Sequence, residues 1–281
     1  MPVQTKDKFI AFVDILGFSE LLRAEEASGR DLSRPLELAK LLGSPDKQFY
    51  PSVCPESRRM AADIDFKMTQ ISDCVVVSTE VSPVGAVNLA HYCFGIAIKF
   101  VAKGALCRGF VTRGKIYHDD KQFVGTGYLH AVENEKNVAF MRADVQERGT
   151  PFIQIDETVT EYVKTDGDNC VRMMFDRMTR SDGTYSAIYP FDALRTIPAS
   201  VIWPGFDPVK WKGELQKSIG FRQRDLTAFE DSERSATDEN VRRKIRHYRR
   251  GLEEVIAHLR SREGTLDRMI STGIIPYGGD W

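Results

Sequence analysis

The sequence has no excess of charge of either sign. Its 281 residues carry 39 basic and 40 acidic side chains, which leaves a net charge of −1 at pH 7. Proteins that bind nucleic acid or an anionic membrane through bulk electrostatics usually carry a basic patch or a basic composition. We therefore expect neither nucleic acid nor a membrane among the partners.

Cysteine is scarce and scattered. The five residues are Cys54, Cys74, Cys93, Cys107 and Cys170. An odd count without a CxxC pair predicts reduced, buried thiols rather than a disulfide framework. The first residues show no signal-peptide pattern. The longest apolar stretch, residues 84–102, is interrupted by Asn88, His91 and Lys99, so it predicts a buried core helix. We expect a soluble, cytoplasmic protein.

The composition is otherwise that of a globular protein, with 42 % hydrophobic and 28 % charged residues. We predict an α/β domain over residues 1–200 and a helical extension over residues 201–281. In the extension, apolar residues recur at helical spacing between a cap at Thr237 and an end at Gly264. These are Val241, Ile245, Tyr248, Leu252, Val255, Ile256 and Leu259.

The segment around which the first domain is organised is residues 8–22. Residues 9–13 are an unbroken apolar run, which predicts a strand buried on both faces. Asp14 ends the run, Gly17 allows a turn, and a helix begins near Ser19. A strand-end carboxylate beside free backbone N–H groups can hold a cation together with the phosphates that the cation carries. The alternative is that Asp14 is only a cap or turn residue.

A second acid stands in a similar position. Residues 66–71 and 74–78 read as two strands of a tight hairpin with Asp73 at its tip. An unpaired buried carboxylate is costly. Two strand-end acids in apolar sequence therefore predict a shared cation.

The remaining sequence of the first domain predicts alternating helices and strands. A helix over residues 83–103 follows the cap Ser82, and a strand over 106–118 carries Arg108 and Arg113. Further predictions are a helix at 35–42, a helix at 128–136, a strand at 137–145, a helix at 156–163 and a hairpin within 170–190 that turns at 181–183.

The order strand, helix, hairpin, helix, strand, with acids at two strand tips, resembles the class III nucleotidyl cyclases. The matching segments are FVDILGFS (12–19), ISDCVVVS (71–78) and RGFVTRGKIYHDDKQFVGTG (108–127). Together with GYLHAVENE (127–135), they look like the pyrimidine cyclases of bacterial antiphage signalling. The resemblance covers residues 8 to about 145. It implies a ferredoxin-like α/β sheet flanked by helices and a head-to-tail homodimer.

The resemblance also implies a reaction and its ligands. Two divalent ions, Mn²⁺ or Mg²⁺, would be bound by Asp14, Asp73 and the carbonyl of Ile15. The phosphates would lie on the backbone of Leu16, Gly17, Phe18 and Ser19. The 3′-hydroxyl of a nucleoside triphosphate would attack the α-phosphate and release pyrophosphate, chemistry that metals and backbone N–H groups support.

The chain departs from the adenylate cyclases at two places. Thr69 stands where they carry a base-reading lysine. Their Asn-xxx-Arg pair is also missing, because alignment on Gly127 gives Ala131 and Glu135, and alignment on Gly125 gives Leu129 and Glu133. The charge of the transition state must then be met by the metals alone or by another cation. The candidates are Arg108, Arg113 and Arg142.

The absent lysine points to a pyrimidine substrate. Tyr50 and Phe66 are bulky enough to restrict the pocket to one ring, and the Thr69 hydroxyl can serve either pyrimidine. Tyr50 has the alternative role of holding its proline-flanked loop on the core. On resemblance we predict a uridylate cyclase that makes cyclic UMP from UTP for antiphage defence, with a separate effector protein reading the product. The alternatives are a cytidylate cyclase and a catalytically silent nucleotide-binding regulatory module.

Overall fold

The structure is a computed structural model that describes residues 4–43, 64–147, 149–195 and 207–273. The chain divides into two units, Met1–Pro190 and Phe191–Trp281. The predicted domain boundary between residues 200 and 201 lies outside the described residues, as does Tyr50.

The first unit mixes strands and helices along the chain. The elements are β1 (Lys6–Leu16), α1 (Phe18–Ala27), α2 (Ser33–Leu42), β2 (Lys67–Ile71), β3 (Cys74–Glu80), α3 (Pro83–Ala102), β4 (Leu106–His118), β5 (Phe123–Val124), α4 (Thr126–Glu135), β6 (Ile153–Ile155), α5 (Glu157–Asp166), α6 (Asn169–Asp176), β7 (Thr179–Ser181) and β8 (Ser186–Ile188).

The strands of the described chain form one mixed eight-stranded sheet, with the order β2-β3-β1-β4-β6-β8-β7 and with β5 paired to β4. β4 and β6 are parallel, and the other pairs are antiparallel. β1 lies between β3 and β4, and its residues Phe9, Ile10 and Val13 are fully buried. The prediction of a doubly buried first strand and of a mixed α/β fold with flanking helices is confirmed.

The two faces of the sheet have different cores. Phe9 and Val13 of β1 belong to a large cluster with α3, whereas Ile10 and Phe12 belong to a smaller cluster with Ala131 of α4. Side chains alternate between the faces of a strand. Asp14 therefore lies on the α4 face.

Helix α3 begins and ends close to the predicted bounds. The Ser82 hydroxyl accepts a hydrogen bond from the Gly85 N–H at 3.0 Å, and Pro83 occupies the first turn, where its missing N–H is harmless. Its length and composition would allow it to cross a membrane, but 67 % of its most apolar stretch is buried inside the protein, as in a core helix.

Helix α4 lies directly on β4, backbone against backbone. A Cβ added to Gly114 would stand 2.8 Å from the Cα of Gly127, and one added to Gly127 would stand 2.5 Å from the Ile10 side chain. A side chain at either glycine would therefore push the helix off the sheet.

The predicted strand over residues 137–145 is wrong. The segment forms turns, and Met141 has a φ of 55°, which interrupts an extended chain. The N–H groups of Ala139 and Phe140 donate to the side-chain oxygen of Gln154 at 2.7 and 3.1 Å. The Gln154 side chain thus supplies the hydrogen-bond acceptor that a neighbouring strand would otherwise provide. Ala139 and Phe140 are therefore buried without being part of the sheet.

The predicted hairpin within residues 170–190 is shorter than expected. Its first part is helix α6, because the Asp168 carboxylate caps the N–H of Val171 at 2.8 Å. β7 and β8 form the hairpin that remains. Its turn is confirmed, since the Asp182 N–H donates to the Tyr185 carbonyl at 3.1 Å.

The described part of the second unit is helical, as predicted, but its helices differ from those expected. They are α7 (Phe191–Leu194), α8 (Pro208–Ser235) and α9 (Glu239–Thr272). α8 starts after Asp207, whose carboxylate caps the helix, and this start was not predicted. α9 is capped by Asp238 rather than Thr237, runs through Gly264 and ends at Gly273, which has a φ of 66°. Most of its predicted apolar positions are buried, but Val241 is exposed.

Candidate functional site

Asp14 lies near the end of β1, on the face of the sheet that α4 covers. At this point β1 pairs with β3 on one side and with β4 on the other. The register partners of Asp14 are Cys74 on β3 and Arg108 on β4. The side chain is half-buried. A carboxylate here is accessible, but it has lost much of the hydration that it would have in water.

Asp73 comes to the same end of the sheet through the β2–β3 turn. The Ile15 N–H donates to the Asp73 carbonyl at 3.0 Å, which joins the tip of the hairpin to the end of β1. Ser72 has a φ of 55°, in the left-handed region that few side chains adopt. The structure therefore brings together the two predicted acids and Ile15.

The pKa of Asp14 is raised from its ordinary value to about 7, chiefly by burial. The negative charges of Glu135 and Asp73 raise it further, and the positive charge of Arg108 opposes them. A carboxylate in these surroundings gains most from a neighbouring cation, because the cation offsets both the burial and the repulsion.

Cys74, the register partner of Asp14, adds a thiol that was not predicted to be at the site. Burial, followed by the charges of Asp14, Asp73 and Glu135, raises the pKa of this thiol to about 11. The sulfur donates to the Ile71 carbonyl at 3.2 Å. At this pKa the metal-free side chain is a neutral thiol at physiological pH.

Glu135 lies at the end of α4, and its sequence position alone predicts no role at the site. In the structure its carboxylate binds the Nε of Arg108 in a buried ion pair, with exposed side-chain fractions of 4 % and 13 %. Of the three predicted arginines, Arg108 is the one whose charge acts on Asp14. No local sequence signal reveals the pair, because 27 residues separate its members.

The other two arginines lie elsewhere. Arg113 faces Phe9 in the register, five residues along β1 from Asp14, and binds Asp7 at 2.8 Å. Arg142 is exposed in the turns after α4. Within the described ranges, no contact joins either arginine to Asp14.

The predicted phosphate-binding segment is the junction of β1 and α1. Gly17 has a φ of 76° and immediately precedes α1, so it makes a turn that a side chain would strain. Leu16 and Phe18 are half-buried, and Gly17 and Ser19 are exposed. The first N–H groups of a helix lack partners within the helix, and Gly17 has no side chain to cap them. This junction therefore offers donors to an anion.

The structure does not bring Phe66 and Thr69 together. Phe66 packs against Tyr92 of α3, with ring centroids 5.9 Å apart, on the face opposite to Asp14. The Thr69 hydroxyl lies on the α4 face, 3.0 Å from Nε2 of His118. The two cannot line one pocket, so a pyrimidine pocket built on Phe66 is not supported.

Among the described residues, no group of three or more His, Cys, Asp or Glu side chains is placed to hold a metal ion. The predicted set uses two side chains, Asp14 and Asp73, with the carbonyl of Ile15. It stays a prediction. Its donors are hard oxygens, the type that Mg²⁺ and Mn²⁺ prefer.

Comparison with known proteins adds no family assignment. No protein-family model matches the chain, and no curated protein matches it significantly.

Proposed function

We propose that the protein is a metal-dependent nucleotidyl cyclase that converts UTP into 3′,5′-cyclic UMP and pyrophosphate. The junction of the first strand with the hairpin tip carries this proposal. The Ile15 N–H binds the Asp73 carbonyl at 3.0 Å, and the Asp73 charge raises the pKa of Asp14. Two acids from distant segments are thus electrostatically coupled at one end of the sheet.

The charges at this end fit a cation site. Three acidic side chains, Asp14, Asp73 and Glu135, face one basic side chain, Arg108, so the local net charge is negative. Asp14, Asp73 and the Ile15 carbonyl would hold the ions. When bound, two Mg²⁺ or Mn²⁺ ions would lower the pKa of the 3′-hydroxyl and neutralise the triphosphate.

The chain's own groups would orient the substrate. The N–H groups at the start of α1, after Gly17, would bind phosphate oxygens. Arg108 would donate to the phosphoryl oxygens as charge develops on them. The O3′–Pα bond forms, and the bond from Pα to the bridging oxygen breaks. Pyrophosphate takes that electron pair, and the hydroxyl proton passes to water.

The wider setting rests on the family resemblance. We propose a cytoplasmic, ferredoxin-like, head-to-tail homodimer whose product is read by a separate effector in antiphage defence. The preference for UTP over CTP has the same basis. The Thr69 hydroxyl is hydrogen-bonded to His118. A hydroxyl can donate to or accept from either pyrimidine, so Thr69 does not distinguish UTP from CTP.

A second candidate is a catalytically silent, cyclase-like binding module. The ion pair between Arg108 and Glu135 favours it, because a guanidinium engaged by a buried carboxylate is less available to a phosphate. A binding module, however, has no need for two acids in adjacent positions, and this argues for the enzyme.

Incubation of the purified protein with equal concentrations of the four ribonucleoside triphosphates and Mn²⁺ tests the proposal. We expect pyrophosphate and cyclic UMP. Asp14→Asn and Asp73→Asn should abolish both while leaving the fold unchanged, because each removes a ligand charge at constant size.

Asp176→Asn, at the exposed end of α6, is the matched control and should be as active as the wild type. Dominant cyclic CMP would contradict only the base preference. Nucleotide binding without any cyclic product would favour the silent module. Normal turnover by either aspartate variant would refute the site.

A further inference from the structure

The ion pair between Arg108 and Glu135 is unusual in its choice of partner. Arg108 lies opposite Asp14 on the neighbouring antiparallel strand. Opposite charges in that relationship attract each other across the strands. The guanidinium nevertheless binds Glu135, which reaches it from the end of α4.

Both members of the pair are largely removed from water, with exposed side-chain fractions of 13 % for Arg108 and 4 % for Glu135. Burial of two charges costs desolvation energy that their attraction does not always recover. Stability alone is therefore a poor reason for the pair, whereas fixing the position of the guanidinium is a sufficient one.

A third element restricts the guanidinium further. Gly149 has a φ of 63°, and a Cβ added to it would stand 2.5 Å from Nη1 of Arg108. The arginine thus lies in a slot between the backbone of this glycine and the Glu135 carboxylate. Its end has little freedom to turn toward Asp14.

We propose that Glu135 is a positioning residue that holds Arg108 away from Asp14 and so leaves the Asp14 carboxylate free to bind a divalent cation. Without Glu135, the guanidinium pairs with its cross-strand partner, and a cation must displace it to reach Asp14. The inference rests on the proposed function, because it takes Asp14 to be a metal ligand.

Binding of Mn²⁺ alone, followed by the loss of the electron paramagnetic resonance signal of the free ion, tests this role without turnover. Three variants of Glu135 are needed. Glu135→Gln removes the charge, and Glu135→Asp keeps the charge but is one methylene too short to hold the guanidinium. Glu135→Gln with Arg108→Gln removes both members. Glu133→Gln, exposed on the same helix, is the matched control.

We expect Glu135→Gln and Glu135→Asp each to weaken Mn²⁺ binding about 10- to 100-fold, the usual effect of losing a residue that orients a ligand. The double variant should recover wild-type affinity, because the competing guanidinium is gone. Glu133→Gln should bind as the wild type does. The double variant also leaves no unpaired buried charge, so it stays informative if a single variant unfolds.

Wild-type affinity in Glu135→Asp would overturn the proposal, because charge alone would then suffice. Failure of the double variant to recover would overturn it as well. If Asp14→Asn did not reduce Mn²⁺ binding relative to the wild type, both the metal site of the proposed function and the role of Glu135 would be refuted. Normal Asp14-dependent binding in all Glu135 variants would refute only the role of Glu135.

Discussion

Asp14 and Arg108 are cross-strand partners within a single chain, on β1 and β4. In a head-to-tail dimer, a site can combine residues of two chains, and mixed variants then complement each other. Because the register pairs Arg108 with Asp14 inside one chain, a given site receives both residues from the same chain.

Mixing chains that carry Asp14→Asn with chains that carry Arg108→Gln should therefore restore no activity, because each site lacks one of the two residues. Mixing Asp14→Asn with Arg142→Gln should restore about one quarter of the sites, by random pairing, if Arg142 acts across the dimer. Product formation by mixed and refolded chains measures both. Recovery in the first mixture would contradict a shared chain.

Gly149→Ala should reduce activity more than stability. Its φ of 63° strains an alanine, and the new methyl group would meet the Arg108 guanidinium. Gly183→Ala is the control, since Gly183 has a φ of 99° with nothing within 4 Å of an added Cβ. We expect Gly183→Ala to lose about 1–2 kcal/mol of unfolding free energy in urea from its positive φ alone. Gly149→Ala should lose at least as much, because its methyl group also meets Arg108 and the Lys136 carbonyl. Only Gly149→Ala should lose turnover, and equal turnover in both variants would contradict the slot.

His118 should make stability depend on pH. Burial, with the nearby charge of Lys8, lowers its pKa to about 4, and its Nδ1 lies 2.8 Å from the Ser78 hydroxyl. The unfolded chain binds a proton near pH 6.5 and the folded chain does not, so this contribution is complete above pH 6.5 and is lost as the pH falls toward 4. Asp14, whose pKa is raised, contributes in the opposite direction.

The comparison of wild type with His118→Asn separates the two effects, because Asp14 is present in both. At pH 7.5 the variant should be less stable by about 1–3 kcal/mol, from lost hydrogen bonds in a buried place. In urea unfolding, the difference in unfolding free energy between the wild type and the variant should become smaller as the pH falls from 6.5 to 4.5. A difference that stays constant would show that the histidine does not titrate in this way.

Two glycines of α9 should respond oppositely to alanine. A Cβ at Gly251 would stand 2.6 Å from the Phe191 ring, so Gly251→Ala should lower the melting temperature. Gly264 has open space around an added Cβ, so Gly264→Ala should stabilise by about 0.5–1 kcal/mol through helix propensity. Thermal unfolding measures both. Stabilisation by both substitutions would contradict the contact between α7 and α9.

The sequence was most informative where the signal is local. The buried run before Asp14, the tight turn at Asp73 and the Ser82 cap are each specified within a few residues, and the structure has them as predicted. The strand expected after α4 failed because a side chain far along the sequence, Gln154, supplies the hydrogen bonds there.

The chemistry of the site depended on contacts that local patterns do not contain. Glu135 meets Arg108 only because α4 folds back over β4. The separation of Phe66 from Thr69, by contrast, was readable in advance. In the predicted strand over residues 66–71 the two are three positions apart, which places them on opposite faces by the period of two.

The close contact between Gly114 and Gly127 holds the first turn of α4 against β4. Glu135 lies about 12 Å farther along the helix axis. A small tilt at this contact becomes a larger displacement at the far end, where the carboxylate holds its guanidinium. Two glycines that lie outside the acid site thus contribute to where Glu135 meets Arg108.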